Sequence, residues 1–105
     1  MIQGTTPILH YDLPFSSSVI KEAEITLRYT DAMKNVLIVK TLKNGDCKLG
    51  ETSIETRLTQ EETLALPAPA TAKIQLRILT NDGDALATEP YKVSVKKLLK
   101  KDVIE

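Results

Sequence analysis

The chain has 105 residues, enough for one hydrophobic core and too few for two. Apolar residues make up 42% and charged residues 27%, a globular composition that excludes a disordered chain. Lys and Arg together number 14, as do Asp and Glu. No net field therefore draws the chain toward nucleic acid, and weak mutual repulsion favours self-association.

The opening Met1-Ile2-Gln3-Gly4 lacks a basic region followed by an apolar run, so no secretory signal is expected and synthesis is placed in the cytoplasm. Pro7 to Leu13 alternates Leu9, Tyr11 and Leu13 on one face, a strand whose proline suits an edge. Ser16-Ser17-Ser18 ahead of Val19 to Ala23 predicts a brief turn. Strict alternation from Glu24 to Thr30 predicts a half-buried strand. Val36 to Lys43 opens apolar on both faces, as where a strand is covered twice, and Asn44-Gly45-Asp46 turns it. The run Val36–Val39 is the longest apolar stretch, far too short to span a bilayer.

Thr52 to Leu58 sets Ile54, Thr56 and Leu58 against Ser53, Glu55 and Arg57, predicting another strand. Thr59-Gln60-Glu61-Glu62 then carries a hydroxyl and a carboxylate three apart, which satisfy each other's orphan amides at a helix start. Pro67 and Pro69 stop that helix. Lys73 to Ile78 alternates again, with Ile74, Leu76 and Ile78 inward. Asn81-Asp82-Gly83-Asp84 is a reverse turn into a short strand, Ala85 to Thr88. Tyr91 to Lys96 is the last strand, with Tyr91, Val93 and Val95 inward. About seven short strands with one brief helix in a crossover predict an all-β, immunoglobulin-like β-sandwich over residues 1–95. A small closed barrel is the alternative. Residues 96–105 read as a lysine-rich C-terminal tail or short helical turn.

The residue inventory argues against catalysis. Cys47, the one cysteine, has Asp46 and Lys48 beside it and no thiolate-activating cluster, so it reads as structural. His10 and Asp12 share a strand face, but two ligands without a third make a poor metal site. Asn81 to Asp84 resembles the start of a calcium loop, yet Val93 stands where the bidentate glutamate belongs. Ser16, Ser17 and Ser18 lack a glycine-flanked elbow and a histidine base. Among four glycines there is no phosphate loop. No enzyme activity, cofactor or metal is expected.

Lys92, Lys96, Lys97, Lys100 and Lys101 against Asp102 and Glu105 give the C-terminal segment a charge of +3 and the remainder −3. It has neither aromatics for base stacking nor arginines for bidentate contacts, so nucleic acid is not an expected partner. Leu98, Leu99, Val103 and Ile104 follow the last strand and need burial on their own domain or on a neighbour; they are the candidate assembly contacts.

Several segments together resemble a family: Gln3-Gly4-Thr5-Thr6-Pro7, Leu13-Pro14-Phe15, Leu58 to Leu64, and Ile74-Gln75-Leu76-Arg77 leading to Asp82-Gly83-Asp84-Ala85-Leu86-Ala87. They look like a group of small uncharacterised proteins encoded among virion structural genes in phages and prophages of low-GC Gram-positive bacteria. More remotely, the layout is similar to the N-terminal β-sandwich domain of phage baseplate upper proteins. The resemblance implies a tail- or baseplate-associated structural role, with other virion structural proteins as partners, a possible homo-oligomer, and a place in the virion once assembled. It carries no active site. Two rivals stand beside it. One is a host-surface module binding carbohydrate or protein, against which Tyr11, Tyr29 and Tyr91 all fall on inward stripes. The other is a prophage regulatory protein acting through the lysine-rich tail.

Overall fold

A computed structural model describes residues 1–104 and shows eight strands in two antiparallel sheets. In chain order they are β1 (Ile8–Asp12), β2 (Ile20–Thr30), β3 (Asn35–Thr41), β4 (Cys47–Leu49), β5 (Ser53–Arg57), β6 (Ala70–Thr80), β7 (Ala85–Ala87) and β8 (Tyr91–Val95). A 3-10 turn over Ser17–Val19 precedes β2, and helix α1 (Gln60–Leu64) links β5 to β6. The smaller sheet has the order β1-β5-β4. The larger runs β3-β2-β6, with β7 and β8 lying end to end along the far edge of β6. Relabelled B, C, C′, D, E, F and G, with β7 and β8 sharing the last letter, the strands lie B-E-D and C′-C-F-G. That is the immunoglobulin arrangement without its first strand, and the helix occupies the E–F crossover.

Alternation decides which side chains meet. Ala23, Ile25 and Leu27 of β2, Ala72, Ile74, Leu76 and Ile78 of β6, and Val95 of β8 are buried beneath Ile54 and Leu58 of the smaller sheet. Ile20 joins them only because a register irregularity between Ile20 and Glu22 inserts a residue and switches the phase of β2. Gly83, at φ +89°, turns β6 into β7, which returns with a bond from the Thr80 N–H to the Asp84 carbonyl (2.9 Å). Residues Met1 to Gln3 lie along β8, with a parallel bridge between Ile2 and Lys96.

The all-β sandwich and the helical crossover follow the sequence reading; four local expectations do not. β4 was absent from it, because Cys47-Lys48-Leu49 is too short to display alternation between two turns. The Ser16-capped turn forms, but Ile20 to Ala23 already belong to β2. β3 is not covered twice: it is the edge strand of its sheet, and its outer face is bare. Tyr91 shares the inward phase of Val93 and Val95, yet it sits where the two sheets part and is 65% exposed. No helix among the described residues is long and apolar enough to cross a membrane.

Candidate functional site

The first candidate is the β3 edge. A 2.9 Å bond from the Leu42 N–H to the Ala23 carbonyl sets the phase of the β2–β3 ladder. Val36, Ile38 and Lys40 therefore direct their backbone groups at β2, while Leu37 and Val39 direct theirs away from the sheet. Beyond them the edge closes: Asp46 donates its N–H to the Thr41 carbonyl (3.0 Å) and accepts from the Thr41 N–H through Oδ2 (3.2 Å). The groups on Leu37 and Val39 meet no partner among the described residues. Their side chains, 58% and 43% exposed, stand on the outer face, and Met33 in the adjoining turn is 94% exposed. Neither proline nor an outward lysine blunts the stretch, although natural edges usually carry such devices.

Behind the edge the sandwich is sealed. Lys40 points inward and its Nζ pairs with Glu62 Oε2 at 2.8 Å, tying β3 to α1. Burial opposes ionisation of Glu62, but the Lys40 ammonium and the Thr59 backbone N–H outweigh it and hold the carboxyl below its usual range. Cys47 Sγ donates to the Lys40 carbonyl at 3.6 Å, and burial, then the nearby Asp46 charge, push its thiol up, away from the reactive thiolate.

The second candidate is the opposite flank, where β1 and β8 do not pair. A cleft of about 490 Å³ opens there between Tyr11 and Tyr91, floored by Ile74 and rimmed by Ile8, His10 and Glu89. An apolar crevice of about 200 Å³ continues past Tyr11 to Phe15 and Leu86. Burial raises the Tyr11 phenol, against a hydrogen bond with Thr88.

His10 lies on the outer face of β1. Its Nε2 is 3.0 Å from Asp12 Oδ1 and its Nδ1 is 3.2 Å from Glu55 Oε2, on the cross-strand neighbour. Hydrogen bonds to Asp12 first and Glu55 second raise its pKa, because only the doubly protonated ring gives each carboxylate a donor. Glu55 is a third acid that sequence spacing did not bring to the pair. The two carboxylates nevertheless flank opposite ring nitrogens rather than converging on one point. No set of three or more His, Cys, Asp or Glu among the described residues is arranged to hold a metal. Ser16, Ser17 and Ser18 are spent on the turn: Ser16 caps it, and Ser17 Oγ donates to the Gly50 carbonyl at 2.6 Å.

The four C-terminal aliphatics separate. Leu98 is half-buried against Gly4 and its N–H donates to Gln3 Oε1 at 3.3 Å. Leu99 and Ile104 are exposed, and Val103 is marginally so. The segment is pinned a second time at its far end, where Gln60 donates through Nε2 to the Ile104 carbonyl (3.1 Å) and accepts from its N–H through Oε1 (2.8 Å). Sequence reasoning named these aliphatics and missed the edge, whose signal was present in Val36–Val39 but was read as burial on both faces. Comparison of the chain with protein-family models, with curated proteins and with solved structures finds no match.

Proposed function

We propose that the chain is a non-enzymatic phage structural or assembly protein, associated with the tail or baseplate, that docks to other virion proteins through the β3 edge. The observation that carries a docking role is that edge, where open backbone groups and exposed aliphatic side chains coincide on Leu37 and Val39. Strand addition to such an edge draws affinity from main-chain hydrogen bonds and selectivity from the side chains beside them. The exposed Leu99 and Ile104 offer a second apolar contact, framed by lysines that keep their ammonium groups at a polar rim. The virion setting comes from the resemblance of the segments around Gln3–Pro7, Leu58–Leu64 and Ile74–Ala87. Mass spectrometry of gradient-purified particles from the induced host tests the proposal. Stoichiometric recovery in particles or in tail intermediates is the expected result, and absence from both overturns it.

One observation favours a second reading, a host-surface binding module. Tyr91 stands exposed beside Tyr11 at the mouth of the flank cleft, where an aromatic face suits stacking on a sugar ring. Titration with oligosaccharides followed by amide shifts separates the readings: saturable shifts around Tyr91 that disappear in Tyr91→Ala support the second.

A further inference from the structure

We infer that the partner of the β3 edge is the β3 edge of a second copy, paired antiparallel about a two-fold axis through Ile38. This rests on the docking role proposed above and names its partner. The two residues with outward backbone groups are two positions apart, so a two-fold at Ile38 carries Leu37 onto Val39. Each outward N–H then finds an outward carbonyl, giving four ladder bonds with none left over. Register and side chains agree. The same pairing sets Leu37 of each copy against Val39 of the other on the outer face, joining four exposed aliphatics into one patch.

Two further features favour a copy over an unrelated strand. Asp46 closes the edge at Thr41, so only Val36 to Lys40 can pair, and the two-fold ends the ladder at the same point on both sides. Past those ends, the Asp31–Lys34 turn of one copy comes alongside the Lys43–Asp46 turn of the other. An acid and a lysine on each side then face their opposites. Overall neutrality leaves no long-range repulsion between copies. A ladder of five residues is a small interface, so association is weak and strengthens where copies are held close together, as in an assembly.

Sedimentation velocity on the full chain, from about 10 µM to about 1 mM, is the first measurement, that being the range in which small interfaces associate. The wild type is expected to pass from monomer to dimer, while the double variant Leu37→Lys/Val39→Lys stays monomeric with unchanged circular dichroism and melting. Amide hydrogen exchange needs no variant: the Leu37 and Val39 N–H groups are expected to slow at least about tenfold across the same range, by the protection a paired backbone group gains. A wild-type monomer throughout overturns the inference. So does a dimer that survives the double substitution, or one in which those two amides exchange as fast as before. A monomer whose double variant no longer enters particles assigns the edge to another virion protein, overturning the second copy and leaving the assembly role intact. A dimer that pairs as expected but is absent from particles supports the pairing and removes the virion setting.

Discussion

Gln3 is fully buried and has all its polar atoms engaged. Its amide donates to the Leu66 carbonyl at 2.6 Å, its side-chain oxygen accepts from Leu98, and its backbone N–H reaches the Lys96 carbonyl at 3.1 Å. Truncation orphans a buried carbonyl, so Gln3→Ala is expected to cost about 1–3 kcal/mol in denaturant unfolding. Leu76, 2% exposed between two strands, is expected to cost about 2–5 kcal/mol as Leu76→Ala. Arg77→Ala, which removes only an exposed pair with Glu24, should cost less than about 1 kcal/mol. Leu76 was legible because alternation is a local signal. Gln3 was not: its side-chain partners lie 63 and 95 positions away, and nothing near it in sequence distinguishes it from a surface glutamine. His10 gives a test by titration. Its raised pKa means that the protonated ring favours the fold, so its stabilising contribution is complete below about pH 6.5, the unfolded value, and is lost as pH rises through the folded value. Asp12→Asn and Glu55→Gln should each bring the imidazole proton shifts, followed by NMR, back toward an ordinary histidine midpoint. Unchanged midpoints would mean that the carboxylates do not hold the ring.

At the level of elements, α1 owes its position to its ends more than to its length. The Thr59 hydroxyl accepts the Glu62 N–H at 3.1 Å, Glu62 returns the bond to the Thr59 N–H at 2.8 Å, and the same carboxylate binds Lys40. Thr59→Ala is expected to cost about 1 kcal/mol in thermal or denaturant unfolding, the usual worth of such a cap. The box was readable because its residues are three apart. The linkage to β3 was not, since it depends on which strands the crossover brings together. β3 shows the same limit from the other side. A run of four aliphatics describes a strand buried on both faces and an unblunted edge equally well, and only sheet order separates them. β7 and β8 add a third case. Leu86 pairs with Ile78 and Tyr91 with Ile74, so one extra residue in Thr88-Glu89-Pro90 lets an even-numbered and an odd-numbered position share one face.

For the whole molecule, the sheet order follows from hairpins that the turns announced and from one crossover that the proline-stopped helix announced; the contact between the chain's two ends followed from neither. Met1 to Gln3 run beside β8 in the same direction, tied by the Met1 N–H to the Ser94 carbonyl (3.0 Å), the Lys96 N–H to the Met1 carbonyl (2.7 Å) and the Gln3 N–H to the Lys96 carbonyl. Parallel neighbours at opposite ends of a chain have a mechanical consequence. Tension applied through the two ends slides the segments past each other and loads these bonds together, whereas an antiparallel hairpin pulled from its open end would break them one at a time. Single-molecule extension through residues 1 and 105 should therefore rupture at a markedly higher force than extension between the tips of β2–β3 and β6–β7. Gln3→Ala, which removes the side-chain bond to Leu98 just beyond the loaded set, should narrow that difference. The contact that joins the ends would then act as a shear clamp, resisting most strongly along the line by which neighbours gripping both ends would pull.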